Sequence, residues 1–441
     1  MTDIVDVDSF QGEPNLENPV AGEAVFARGE PAEHPFAVLY QGEWETPWDG
    51  TCTAVRLHAR ALAQSGLPVV LRSFSHVVIN EDGVAEPVHA DGVPFAVRVE
   101  VGSLTDTSAA TMTPMIKHVV IRSADQLRAI VYPRGIMHHE LGFLIAMRKA
   151  VAGATILYTV WERDRVDPEI AKILNRVAQV WVPCEQNRQM LLKCGVERVV
   201  TVPHPFDPLS PLLKLTARRP YPNRRFYAIG RWEPRKGYHE LLGAFLRSFR
   251  PEQGHTLTIK FSGGQWDGYP TPAESVAHWA KHPDVIERGW TNQAFRKSVL
   301  LIPGKVTQDA IVKLHFLNNI YVACSHGEAW NLPARDAKLA GNLLVHVPYG
   351  GTEDFSESRD IKIPFHMAPV PPSYHWEPGA EWADFDTDAI GAALEQAGPP
   401  IVFERPTWFE DRFSLASIGT FMRRLVLGVT VPDAAAYYGS K

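Results

Sequence analysis

Two stretches in the second half of the chain carry side chains whose types and spacing suit chemistry. The first is Ala228-Ile229-Gly230-Arg231-Trp232-Glu233-Pro234-Arg235-Lys236-Gly237. An apolar run ends at Gly230, and two cations, Arg231 and Lys236, stand either side of a short loop that leads into a helical pattern. Gly230 and Gly237 allow close approach and unusual backbone angles. A diphosphate asks for this arrangement: a bidentate guanidinium, a mobile ammonium and no bulky side chain between them. Each charge-assisted bond of that kind contributes roughly 1.5–3 kcal/mol. An exposed basic loop has the same composition, so the stretch alone does not decide.

The second is Ser325-His326-Gly327-Glu328-Ala329-Trp330-Asn331-Leu332-Pro333-Ala334-Arg335-Asp336, followed by Gly341 and by Gly350-Gly351-Thr352-Glu353. The pattern places Glu328 at the close of a strand and Asp336 on the next helix. Pro333 marks that helix's first turn, whose free N–H groups face outward. Carboxylates only accept hydrogen bonds and sugar hydroxyls donate them, so this pair suits a hydroxyl-rich ligand. Such a pair is common by chance; its Gly and Trp context is what makes it specific.

The elements that must position these residues alternate between strand and helix. An apolar run at 36–40, a helical pattern at 54–62 stopped by Gly66-Leu67-Pro68, and a strand pattern at 68–74 form a β–turn–α–β start. Further strands are expected at 95–101, 118–122, 129–132, 155–160, 179–183 and 199–202, with helices at 141–150, 168–177 and 185–194. Short apolar strands alternating with helices predict a parallel sheet covered on both faces. A cluster of prolines from Pro203 to Pro211, then Arg218-Arg219-Pro220-Tyr221-Pro222-Asn223-Arg224-Arg225, interrupts the pattern as a linker. Beyond it, strands are expected at 226–229, 256–261, 285–288, 299–302, 320–324 and 343–347. Helices are expected at 236–249, 272–281, 308–318, 332–340, 386–397 and 414–427.

Composition narrows the class. The 441 residues point to two or three domains, and 45% hydrophobic with 21% charged residues is ordinary for a globular protein. No apolar run approaches the length of a membrane span, and the acidic N-terminus does not read as a secretory signal, so a cytoplasmic protein is expected. Cys52, Cys184, Cys194 and Cys324 form no CxxC pair, so neither a disulfide framework nor a structural zinc is expected. Residues 1–34 carry eight acids against Arg28 alone, a net −7, which leaves the rest of the chain at +1. This head reads as a disordered arm, and its Asp6-Val-Asp8 as a chance match to a metal motif. A near-neutral body gives no electrostatic argument for nucleic acid.

GRWEPRKGYHELLGAF and SHGEAWNLPARDAKLAGNLLVHVPYGG resemble the two signature segments of the retaining glycosyltransferases of the GT-B fold, the large family-four (glycosyl transferases group 1) class. Its members carry G-R-x-x-x-x-K-G followed by E-G-F/W-G-L-P-x-x-E-A-x-A-x-G. The resemblance implies an α/β protein with two Rossmann-like doubly wound parallel sheets facing each other across a cleft. It implies an acceptor-side domain at 35–206, the linker at 207–225, a donor domain at 226–410, and a C-terminal helix within 411–441 that crosses back. The donor would be a nucleotide-diphosphate sugar, with retention of configuration and neither metal nor cofactor. Arg231 and Lys236 would hold its diphosphate, Glu328 its sugar and Asp336 its ribose. Gly50, Gly230, Lys305, Val306, Trp330, Asn331 and Leu332 would line the donor site, the 329–332 loop through its backbone N–H groups. Glu162 stands near the place where many members have a histidine, and is the candidate catalytic residue of the first half. A helix-start acid would also stand there. His138, His139 and His204 are alternatives, each as readily an ordinary loop histidine.

Asp336 replaces the family's second Glu with a side chain one methylene shorter, and Ala329 and Asn331 replace two glycines. Asn is the non-Gly residue that best tolerates a left-handed backbone, so Asn331 is expected to keep the loop's shape. The acceptor is unidentified; a glycan, lipid-linked or protein hydroxyl is expected. Two alternatives stay open: a GT-B chain that binds nucleotide or glycan without catalysis, and a glycosyltransferase acting on nucleic acid.

Overall fold

A computed structural model describes residues 38–42, 50–67, 69–72, 77–79, 85–87, 115–118, 121, 155–208, 210–214, 221–371, 379–398 and 407–430. The arm at 1–34, the expected strands at 95–101 and 129–132, the helix at 141–150, and His138 and His139 lie outside the described residues.

Two parallel sheets form the scaffold. The first runs in the order β2-β1-β5-β6-β7-β8, from β1 (Val38–Gly42), β2 (Val69–Arg72), β5 (Met115–His118), β6 (Thr155–Tyr158), β7 (Gln179–Val182) and β8 (Val199–Thr201). The second runs β11-β10-β9-β12-β13-β14, from β9 (Arg225–Trp232), β10 (Thr256–Gly263), β11 (Val299–Ile302), β12 (Ile320–Ala323), β13 (Leu343–His346) and β14 (Ile361–Lys362). Strands β6, β7, β12 and β13 are buried along their whole length. Covered on both faces, they need largely apolar runs, and the sequence supplies them apart from the buried Thr155, Gln179 and His346. Two antiparallel ribbons complete the set: β3 (Val77–Ile79) with β4 (Ala85–Pro87), and β15 (His366–Pro369) with β16 (Glu381–Asp384).

Helix starts follow local chemistry. Asp167, Thr271, Thr291, Thr307 and Asp386 each cap a helix by accepting from a backbone N–H two or three residues on. Pro168 and Pro272 follow two of these caps, where a missing N–H costs nothing. Two expectations fail. The strand expected at 118–122 lies earlier, at Met115–His118, and Ile121 is already past it. The run at 285–288 is not a strand but part of the helix Pro283–Glu287, with Val285 buried and Ile286 58% exposed. Two adjacent apolar residues fit either period, and Pro283 at the first turn decides for helix.

The halves are joined at more than the linker. Arg225 opens β9 and stacks on Tyr221, while Arg224 lies over Phe249, so these two linker arginines pack on the second half. The last helix, Leu415–Thr430, returns to the first half and packs on the first helix, Gly50–Gln64. Their crossing is close: a Cβ on Gly419 would overlap the carbonyl oxygen of Ala61. Among the described residues no helix is long and apolar enough to cross a membrane. The crossing yields a prediction: Gly419→Val forces the two helices apart and lowers stability by about 1–3 kcal/mol. A fall in the denaturant midpoint measures it, and an unchanged midpoint would contradict the close packing.

Candidate active site

In an open parallel sheet, ligands bind beyond the carboxyl ends of the strands where the strand order reverses. In the second sheet that point lies between β9 and β12. The two stretches singled out by their chemistry leave those two strands, which is why they meet. Strand β9 runs to Trp232, two residues past Gly230, so Arg231 is a strand residue. The 3-10 turn Pro234–Lys236 follows, and Gly237 at φ +62° turns the chain into the helix Tyr238–Ser248. A Cβ on Gly237 would stand 2.6 Å from the Cys324 carbonyl oxygen, so both the dihedral and the packing require glycine.

A charged cluster fills this corner. The Arg235 guanidinium, buried, donates through Nη2 to Glu233 at 2.6 Å and through Nη1 to the Gly327 carbonyl at 2.7 Å. Its Nη1 also lies 3.0 Å from Glu162 and 3.5 Å from Glu328. Lys236 Nζ donates to Glu328, and Ser325 Oγ donates to the same carboxylate at 3.4 Å. Arg231 stays largely in solvent, its Nε 3.9 Å from Glu233. Burial alone would push the Glu328 carboxyl up, but Lys236 and Arg235 outweigh it and hold it below the usual carboxylate range. Glu162 goes the other way. Desolvation in the cleft raises it, Glu328 adds to the rise, and Arg235 only partly opposes, although 38% of the side chain still meets solvent.

The Glu328 loop is shaped by residues around it. Strand β12 ends at Ala323, so Glu328 lies five residues into a loop rather than closing the strand. His326 is held by two stacked rings, Trp382 and Phe385, each 4.2 Å away, and its Nδ1–H donates to the Ala383 carbonyl. Asn331 is the one non-glycine with positive φ among the described residues, at +69°, and its side chain caps the helix Leu332–Leu339 through Ala334 N–H at 3.1 Å. The left-handed backbone expected of it is present, whereas Ala329 needs none. A Cβ on Gly350 would overlap the Glu328 carbonyl oxygen, so the second glycine pair is what lets the loop sit down.

The remaining expected residues are distributed unevenly. Gly50 opens the first helix, and a Cβ there would stand 3.5 Å from Leu332, so these two meet across the halves. Trp330 is buried, edge-on to Phe355, Phe413 and His204, and packs the junction with its side chain. Asp336 is held by its neighbour Arg335, Nη2 to Oδ1 at 2.7 Å, and Arg335 donates onward to the Pro205 carbonyl. Lys305 and Val306 follow β11, two strands from β9 on the same carboxyl edge of the parallel sheet. Among the described residues no three His, Cys, Asp or Glu side chains stand where they could hold a metal ion. Sequence reasoning missed Arg235, Glu233 and Arg335. The charge density of the segment from Glu233 to Lys236 was the available signal.

Beneath the cleft, His204 joins His58 and His118 in a fully buried group with Tyr40 and Tyr158. Tyr158 donates to the Val202 carbonyl at 2.8 Å, so His204 Nδ1–H must donate to the phenol oxygen, 3.2 Å away. Burial pushes His58 down to about 4, and burial together with the neighbouring imidazoles puts His118 and His204 well below their ordinary value of 6.5. These are neutral packing groups.

No family model matches the sequence, nor does any curated protein. Solved structures do match the fold. HepE of Anabaena in complex with UDP aligns at a TM-score of 0.51 and 12% identity, covering 89% of this chain and 100% of that one. A glycosyltransferase from Rickettsia africae aligns at 0.52 and 11% identity, covering 91% and 100%. An alpha,alpha-trehalose 6-phosphate synthase from Burkholderia multivorans aligns at 0.52 and 12%, covering 91% and 99%. At these identities the likeness is one of fold, and the fold is the expected GT-B pair of facing Rossmann-like domains.

This geometry sets two expectations. Asn331→Gly keeps the left-handed turn, while Asn331→Ala loses both the turn and the cap, at a cost of about 2 kcal/mol. Denaturation of the two variants checks the order; equal losses would contradict it. The buried imidazoles set the second. An unfolded histidine takes a proton near pH 6.5 and buried His58 only near 4, so below 6.5 the unfolded state binds more protons. Stability is therefore complete above pH 6.5 and lost as pH falls from there towards 4, with His58 contributing about 1.4 kcal/mol for each pH unit crossed. Denaturant midpoints at pH 7.5 and pH 5 should differ, and His58→Leu should lose less over that interval than the unaltered chain. A midpoint that is the same at both pH values would contradict the neutral, buried state of these rings.

Proposed function

We propose that the chain is a glycosyltransferase that takes a sugar from a nucleoside-diphosphate donor, with UDP the favoured nucleotide. The observation that carries the reading is the meeting, at the switch point of the second sheet, of Arg235, Lys236 and Glu328 with Glu162 from the opposite half, while Arg231 stands in solvent at the end of β9 beside Glu233. The choice of UDP is supported by HepE, which was solved with UDP and with UDP-glucose on the same fold.

The chemistry assigns roles. The bond between the sugar's anomeric carbon and the β-phosphate oxygen breaks. An acceptor hydroxyl bonds to that carbon on the same face, and its proton passes to the departing phosphate. Configuration is thereby retained. Little covalent work falls to the protein, so its contribution is positioning and charge. Arg231 and Lys236 stabilise the diphosphate as it leaves, Lys236 exchanging its bond with Glu328 for one with phosphate. Glu328 then accepts from a sugar hydroxyl. Glu162 faces the anomeric carbon from the other side of the cleft, Asp336 takes a ribose hydroxyl through its second oxygen, and the 329–332 loop supplies N–H groups. Two cations do the work a divalent ion does elsewhere, so neither metal nor cofactor is required. The four cysteines form no disulfide with one another, which fits a reducing compartment such as the cytoplasm.

A non-catalytic nucleotide binder is favoured by one observation: Lys236 and Asp336 both already have partners within the chain. A nucleotide-sugar panel, monitored for released nucleoside diphosphate with glycan, lipid-linked and protein acceptors, separates the two. Transfer is expected from a UDP-sugar, and it should survive excess EDTA. Tight binding without turnover would establish the second reading. Arg231→Ala and Lys236→Ala should each lower turnover by roughly a hundredfold, Arg231→Ala without loss of stability because its side chain is largely in solvent. Turnover within twofold of the unaltered chain for both would remove the site. Glu328→Ala should lower kcat, and Asp336→Ala should raise the donor KM.

A further inference from the structure

Arg235 falls at one of the unspecified positions of the G-R-x-x-x-x-K-G pattern, yet its contacts are the most connected in the cleft. Its main chain and side chain both hold the second signature segment. The His326 N–H donates to the Arg235 carbonyl at 2.7 Å, and Arg235 Nη1 donates to the Gly327 carbonyl at 2.7 Å. The same nitrogen lies between Glu162, which follows β6 in the first half, and Glu328, which follows β12 in the second. Glu233, adjacent in the turn, takes the other nitrogen.

Two consequences follow from the chemistry. A guanidinium presents its donors as a rigid planar fork and can serve two carboxylates and a carbonyl at fixed angles; an ammonium cannot. And without a cation between them, Glu162 and Glu328 would meet as like charges in a site poor in water, which drives them apart. Other contacts between the halves, such as Glu381 N–H to Asp164 at 2.9 Å and Glu185 N–H to Asp354 at 2.9 Å, lie outside this charged corner.

We propose that Arg235 is a positioning residue that latches the two halves together, clamping Glu162 and Glu328 on one guanidinium so that both carboxylates reach their working places only in the closed molecule. The inference rests on the glycosyltransferase reading for what those carboxylates do, but the latch itself does not. Arg235 Nη1 and Nη2 are directed at Glu162, Glu233, Glu328 and Gly327, within the cluster.

The test uses the full chain with Arg235→Lys, Glu162→Gln and the double variant. Calorimetry reads UDP affinity, released UDP reads kcat and donor KM, and small-angle scattering reads the size of the ligand-free molecule. Both single variants should bind UDP as the unaltered chain does, lose about a hundredfold in kcat, and show a larger radius of gyration. The double variant should be no worse than the poorer single, since one contact is removed twice. UDP affinity falling in step with kcat would make Arg235 a donor ligand and overturn the latch, and so would multiplicative losses. If Arg235→Lys fails to fold, Glu162→Gln, whose side chain is partly in solvent, carries the test through the scattering arm alone, since its place at the reacting carbon lowers kcat with or without the latch. If the unaltered chain neither binds UDP nor turns over, the glycosyltransferase reading fails. The scattering arm then decides the latch: expansion supports it and an unchanged radius overturns it.

Discussion

Three carboxylates and two cations share one corner, all but Glu162 nearly buried, and their mutual neutralisation is the constraint on which the site depends. Glu162, Glu233 and Glu328 are tolerable there only because Arg235 and Lys236 stand between them. Such a cluster adds little net stability, since desolvation consumes most of the Coulomb gain, but removing one member costs about 3–5 kcal/mol by stranding the others. It specifies an arrangement rather than supplying binding energy for the fold. On the proposed function, a diphosphate that took Lys236 from Glu328 would free that carboxylate for hydroxyl groups.

The backbone is fitted to this cluster. Parallel strands bring β9 and β12 side by side, so the two stretches leave the sheet together and on the same edge. Glycine is required where main chains nearly touch, at Gly237 under Cys324 and at Gly350 under Glu328. Lys338, fully buried, is held by Asp360 at 2.8 Å and by Glu357 at 2.6 Å, and so fixes the helix Leu332–Leu339 to the loop before β14. The neutral imidazoles under His204 and the packed face of Trp330 fill the floor between the halves. A rigid floor and a charged corner together give a cleft whose two sides are registered to each other.

Much of this is legible in the amino-acid order. Alternating apolar runs give the sheets, and Ser, Thr, Asp and Pro at fixed offsets give the helix starts, because both rest on local periodicity and local hydrogen bonds. Asn331 is legible for the same reason, as its backbone angle is a property of the residue. Partnerships between distant residues are not. Nothing local distinguishes Arg235, which is buried among carboxylates, from Arg231, which is mostly in solvent. Trp330 reads as a ligand-loop residue but packs the junction, since which face a loop residue presents depends on the opposing half. The run at 285–288 reads as strand because its two apolar residues suit either period, and β15, largely exposed, carries no apolar run that would announce its ribbon with β16.

The central claim is that the strand-end loop at 230–237 is built for a diphosphate. Calorimetric titration of the full chain with uridine, UMP and UDP at low and at high salt tests it most directly. The account predicts that UDP binds more tightly than UMP and UMP more tightly than uridine, with the advantage of the second phosphate shrinking as salt screens Arg231. Equal affinity for UMP and UDP at both salt concentrations would contradict it.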